Sequence, residues 1–191
     1  MKEKFLELLR STNREGIEDL IKFIEESTDF FTAPASTRFH GDHEGGLLEH
    51  SLKVYEILNE KLKHAPVEIN IPDDTIKIAA LLHDICKVNF YKVSYRNAKN
   101  ELGVWEKVPY YSVEDTIPYG HGEKSVMMIT EYMKLTVEEK YAIRWHMGLS
   151  EPKELYGTIG NAFTKYPLAL MLHIYLIYKI KKRYRGGKII C

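Results

Sequence analysis

Apolar residues return at helical spacing through most of the chain. Leu20, Ile21, Phe23 and Ile24 form one stripe of a segment from about 17 to 27, and a second amphipathic stretch covers residues 2–10. These predict a helical hairpin broken near Ser11-Thr12-Asn13 and Gly16. The period lapses from Thr28 to Gly46, a stretch dense in turn formers, and loops this long inside a compact domain are often functional. It resumes at Leu47 and runs through Leu48, Leu52, Tyr55, Leu58 and Leu62, ending near Lys63-His64 ahead of Pro66. Pro72-Asp73-Asp74-Thr75 then opens a helix, with proline in the first turn and acids facing the positive end of the helix dipole. Its apolar run from Ile76 delivers His83 and Asp84 to the far end.

Residues 90–113 read differently. Phe90 to Arg96 and Val104 to Tyr111 are rich in aromatic and β-branched residues, with Asn97 to Gly103 between them as the loop of a β-hairpin and Pro109 restricting the second strand to an edge. Such a ribbon is either an aromatic-packed flap or a lid offering a stacking platform for a base. Helical character returns at His121, and Thr136-Val137-Glu138-Glu139 is a capping box opening a helix that reaches His146. Leu168 to Ile180 is too short an apolar core to span a bilayer and reads as the last helix of the bundle, with His173 inside it as a packing residue. The expected fold is all-α, a helical bundle with a small β-hairpin insertion around residues 90–113.

Composition adds limits. With 191 residues and 45% hydrophobic content the chain can bury one sizeable core, which excludes disordered and fibrous classes. The expected organisation is a single domain over 1–191: a helical hairpin at 1–28, a core at 30–176 and a basic tail at 177–191. Met1 to Glu7 alternates charged and apolar residues and does not resemble a secretory signal, so a cytoplasmic location is expected. Cys86 and Cys191 supply neither a disulfide framework nor a cysteine-rich zinc site. The formal net charge is zero, yet residues 155–191 hold seven bases and no acid. That tail can attract nucleic acid or an anionic membrane, or it is simply a solvated basic run.

The candidate chemistry lies in four histidines. His50 and His121 sit near helix starts, His83 and His146 near helix ends, and an antiparallel bundle brings such ends together. Burying His83 beside Asp84 costs several kcal/mol unless both are satisfied, either by a structural hydrogen-bonded pair or by a divalent cation. In the long loop, Arg38 is a candidate phosphate ligand or an ordinary exposed arginine.

With these residues in order, the chain resembles the HD-domain metal-dependent phosphohydrolase superfamily over roughly residues 30–176. His50 matches the first ligand, His83-Asp84 the namesake pair, and His121 and His146 the histidines of two-metal members. Ala33-Pro34-Ala35-Ser36 through His50-Ser51 is also similar to the HD domain of bacterial 3′→5′ exoribonucleases. The resemblance implies that Asp84 bridges two divalent cations (Mn, Fe, Co, Ni or Zn), with His50 and His83 on one and His121 and His146 on the other. It further implies a cation-activated water attacking phosphorus in a nucleotide or short oligonucleotide. Lys87, one turn beyond His83, would neutralise developing charge or is simply a surface lysine, and Lys124 and Arg144 are weaker candidates for binding phosphate.

The chain departs from the family at one place. An aspartate is expected on the last core helix, and this chain reads Leu172-His173-Ile174-Tyr175-Leu176 with no acid afterwards. Two other readings therefore stand beside the hydrolase: a non-catalytic, metal-stabilised module that binds nucleotide or nucleic acid, and a diiron oxygenase on the same ligands.

Overall fold

The computed structural model describes residues 1–37, 41–64 and 70–184, with only the helical backbone described for 177–184. Two helices, α1 (Lys2–Arg10) and α2 (Ile17–Ser27), form the opening hairpin. Gly16 makes the turn at φ 82°, and a Cβ there would run into the Tyr132 carbonyl, so both conformation and space require glycine. Phe5 of α1 meets Phe30 at 4.8 Å between ring centroids, which fixes the chain where it leaves α2.

The body is built from α3 (Gly46–Lys63), α4 (Asp73–Leu82), α5 (His121–Thr130), α6 (Val137–Trp145), α7 (Tyr156–Lys165) and α8 (Pro167–Tyr184). Helix α4 lies between α3 and α6, and α8 packs on α3, α6 and α7. One hydrophobic cluster runs from Phe5 to Leu172, and Leu47, Leu58, Ile78, Leu81, Leu82, Ile143 and Leu172 within it are fully buried. Each contributes roughly 1.5–3 kcal/mol relative to an exposed side chain. From Ile76 to Leu82, helix α4 is apolar except for Lys77, as its central position requires, and it carries the His83 and Asp84 that follow it into the interior.

A charged junction ties the helix starts together. Arg14 donates to Glu139 Oε1 at 2.7 Å, to Asp74 Oδ2 at 3.0 Å and to the Lys134 carbonyl at 2.8 Å. The fully buried Glu139 also accepts from Thr75 Oγ1 and caps α6 with Thr136. The capping box that marks the start of α6 in the sequence is thus part of a tertiary lock joining the α1–α2 turn, α4 and α6.

The ribbon pairs β1 (Tyr91–Lys99) with β2 (Trp105–Val113) in antiparallel register, Tyr91 opposite Val113 and Lys99 opposite Trp105. Its turn is shorter than the sequence suggests. Asn97, Ala98 and Lys99 look like loop residues but belong to β1, because Asn100 closes the turn alone, its Oδ1 accepting from the Leu102 and Val104 amides. Helix α7 has no counterpart in the sequence reading; its buried face is only Ile159 and Ala162, too sparse a stripe to stand out. Among the described residues, no helix is long and apolar enough to cross a membrane.

Candidate metal centre

The four histidines reach one point through the ends of four helices. His50 lies in the second turn of α3, behind the left-handed Gly45 at φ 75°. Helix α4 stops at Leu82, so His83 closes it, while Asp84 at φ −106° and ψ 16° turns the chain into a short 3-10 segment, Ile85–Lys87. His121 opens α5 and His146 closes α6. Gly122 lets these two ends touch, since a Cβ there would strike the Arg144 backbone carbonyl. The His121 and His146 rings consequently stand 5.2 Å apart.

Asp84 shares its two oxygens between two pairs of imidazoles. Oδ2 lies 3.1 Å from His50 Nε2 and 3.3 Å from His83 Nε2. Oδ1 lies 2.9 Å from His121 Nε2 and 3.4 Å from His146 Nε2. In each of the sets His50/His83/Asp84 and Asp84/His121/His146, the ligating atoms fall within 4.8 Å of one another. All but His121 are buried.

The hydrogen bonds on the outer ring nitrogens fix which nitrogen faces inward. His83 Nδ1 donates to the Ala80 carbonyl at 2.9 Å and His146 Nδ1 to the Ile143 carbonyl at 2.7 Å. A carbonyl only accepts, so in the neutral rings both Nε2 atoms present lone pairs to Asp84. His146 Nε2 is buried and makes no hydrogen bond among the described residues. His50 Nε2 and His83 Nε2 stand 3.1 Å apart, a separation that needs a proton or a cation between two nitrogens. An orphaned buried imidazole nitrogen and a pinched nitrogen pair around one carboxylate fit a divalent cation with nitrogen and oxygen ligands.

Electrostatics at the cluster are strongly coupled. Burial pushes the Asp84 carboxyl up, but the Lys87 ammonium and then the surrounding imidazoles outweigh it and hold the group well below the usual carboxylate range. Burial, with His83 and His121 nearby, carries His146 down to about 4 despite the pull of Asp84. For His121, burial is outweighed by the hydrogen bond to Asp84 and the contact with Cys86, which together raise it to about 10. Without a cation, His121 therefore keeps its proton at neutral pH, whereas His146 is neutral.

Residues 47–179 match the HD domain family. The chain belongs to the HD domain family. It is also 31% identical over 121 residues, 60% of this chain, to the dihydroneopterin 2′,3′-cyclic phosphate phosphodiesterase of Methanocaldococcus jannaschii. That match spans 43% of the relative's own length. No solved structure matches the chain significantly.

The remaining candidates of this HD domain lie at different distances from the cluster. Lys87 Nζ is within it, 2.9 Å from Asp84 Oδ2 and 2.8 Å from the Ala35 carbonyl. Lys124 is buried and turned to Asp115 at 2.8 Å, with its ammonium 5.2 Å from the centre of the Phe90 ring, so it fastens the foot of the ribbon to α5. Arg144 pairs with Glu123 and with Glu151 and stacks 3.8 Å over Trp145, on the flank of α5 and α6. Arg38 lies outside the described residues. His173 donates from Nδ1 to the His146 carbonyl at 3.0 Å and stacks on Phe163. It braces the end of α6.

Two contributors were not evident in the sequence. Cys86 Sγ lies 3.3 Å from His121 Nδ1. Buried Ser125 donates to the His83 carbonyl at 2.7 Å and accepts from the Cys86 amide at 3.2 Å. The signal for Ser125 was its place four residues after His121, one turn along the same helical face.

Proposed function

We propose that this HD domain is a metal-dependent phosphoric ester hydrolase acting on a nucleotide or short oligonucleotide. His50, His83 and Asp84 would hold one cation, and Asp84, His121 and His146 a second. The observation that carries this reading is the division of one carboxylate, with Oδ2 given to one imidazole pair and Oδ1 to the other. Bound there, such cations polarise phosphoryl oxygens and lower the pKa of water. Membership of the family and the phosphodiesterase named among its relatives support the same class of reaction.

The chain's own groups do the rest. The Ala35 carbonyl and Asp84 hold Lys87, and its ammonium would offset negative charge gathering on a phosphoryl group. The Ala80 and Ile143 carbonyls keep His83 and His146 in the tautomer that leaves Nε2 as the ligand. The apolar residues around the cluster, Leu82 and Ile85 among them, lower the local dielectric and strengthen each of these interactions.

The test is hydrolysis of bis(p-nitrophenyl) phosphate, mononucleotides and oligonucleotides after reloading with Mn²⁺, Fe²⁺, Co²⁺, Ni²⁺ or Zn²⁺. Turnover that depends on the metal and disappears in Asp84→Ala is expected. Stoichiometric metal without turnover on any ester would instead establish the non-catalytic binding module, the reading favoured by the lack of any carboxylate after Glu154.

A further inference from the structure

The ribbon exposes apolar surface that a free-standing hairpin has no structural need for. Its strands pack mainly on each other, and Tyr95 and Trp105 are each 66% exposed, Val93 52%. Two-stranded ribbons are marginal in water and normally bury such residues against a neighbour.

The register sorts the ribbon into two unlike faces. Directly paired residues share a face, so Val93 with Tyr111, Tyr95 with Pro109, Asn97 with Lys107 and Lys99 with Trp105 lie on one side. That side carries two lysines and no carboxylate, while Glu106 lies on the other with Arg96. Lys99 Nζ stands 5.3 Å from the centre of the Trp105 ring.

This face starts at the candidate metal centre. Tyr91 is its first residue, and its hydroxyl donates to the Ala35 carbonyl at 3.3 Å, the same carbonyl that holds Lys87 against Asp84. From there, nine residues of strand at roughly 3.3 Å each carry aromatic rings and ammonium groups outward for about 30 Å.

We propose that this ribbon face binds single-stranded nucleic acid and feeds it to the centre. The proposal rests on the hydrolase reading above and deepens it, naming a polymer rather than a mononucleotide as the substrate. Unpaired bases stack on aromatic rings without regard to sequence, and lysines between the rings meet the phosphates. A duplex hides its bases from such a surface. A second copy of the chain is a poorer occupant, because pairing two such faces brings four ammonium groups together with no carboxylate on either side.

The experiment is fluorescence anisotropy of the full chain with a labelled phosphorothioate oligonucleotide of about twelve nucleotides, within the ~4–16 nucleotide footprint of such surfaces. The phosphorothioate backbone suppresses turnover. Single strands are expected to bind at least about 10-fold more tightly than the matching duplex, and the double variant Tyr95→Ala/Trp105→Ala to lose about 10-fold or more. Lys99→Ala/Lys107→Ala should flatten the log–log salt dependence by about 1.4. Trp105→Phe should keep affinity that Trp105→Leu loses, which separates ring stacking from bulk and from any unfolding of the ribbon. Equal binding of duplex, or wild-type affinity in the double aromatic variant, overturns the proposal. So does a dimer in sedimentation that dissociates in that variant, since the face would then belong to a second copy. Hydrolysis of bis(p-nitrophenyl) phosphate should be unchanged in all these variants. Failure of the wild type on that small ester, with strand binding intact, would count against the hydrolase reading alone.

Discussion

Cys86 holds its sulfur 3.3 Å from Nδ1 of His121, the ring whose Nε2 lies 2.9 Å from Asp84. A thiol sulfur can accept a hydrogen bond from Nδ1–H, which keeps the proton on that nitrogen and leaves the Nε2 lone pair for a cation, as partners of ligating histidines commonly do. Cys86→Ala is expected to weaken the His121/His146 cation about 10-fold while leaving the His50/His83 cation unchanged, and Cys86→Ser should largely restore it. A Co²⁺ titration followed by visible absorption reads both steps.

Asp84 is shared and the histidines are not, so their variants should differ in stoichiometry. Asp84→Ala is expected to abolish binding of both cations, whereas His50→Ala and His121→Ala should each remove one. Elemental analysis after dialysis distinguishes these outcomes, and any variant of Asp84 that retains two ions would contradict the bridging role.

The raised value of His121 sets a pH dependence. The ring keeps its proton up to about pH 10 in the metal-free chain, and Nε2 must lose it before binding a cation. Cation uptake near pH 7 should therefore release about one proton from this group, and affinity should rise with pH as the competing proton becomes scarcer. His146, neutral down to about pH 4, releases none. Calorimetry in buffers of different ionisation enthalpy counts the protons. The linked stability has the opposite slope: a raised histidine stabilises the metal-free fold fully below its ordinary 6.5, and that contribution disappears as pH climbs through 10. The Tm of the metal-free chain should lose this contribution across that interval, a change that His121→Asn removes.

Removing one side of the Arg14–Glu139 junction should cost more than the pair is worth. Glu139→Gln leaves Arg14 without its buried partner and is expected to destabilise the chain by about 3 kcal/mol. Urea unfolding measures this directly, and a loss under about 0.5 kcal/mol would place the junction among ordinary surface pairs.

Gly122→Ala should push α5 off the end of α6, because the added methyl meets the Arg144 backbone rather than a side chain that can rotate away. A loss of about 2 kcal/mol is expected, together with weaker binding at His121/His146 and little change at His50/His83. Unfolding curves and the same Co²⁺ titration test the two halves of this statement.

Much of this molecule was readable from local pattern. Helical period located α3, α4 and α6, an apolar run located α8, the capping box marked the start of α6, and the density of aromatic and β-branched residues marked the ribbon. Less was readable where the deciding contact is remote. Asn97 to Lys99 have loop composition but join β1 because the opposite strand pairs with them, and α7 is held by the little apolar surface it presents to α8 and Trp145.

The order of the candidate ligands, His50, then His83-Asp84, then His121 and His146, was legible in the sequence alone, as was their position near helix ends. Only the tertiary structure decided which Asp84 oxygen faces which imidazoles, that Lys124 and Arg144 turn to Asp115, Glu123 and Glu151, and that Cys86 backs His121. The physical reason is range. Periodicity and capping are properties of a few consecutive residues, whereas a coordination sphere is assembled by helix packing from groups up to 96 positions apart, from His50 to His146.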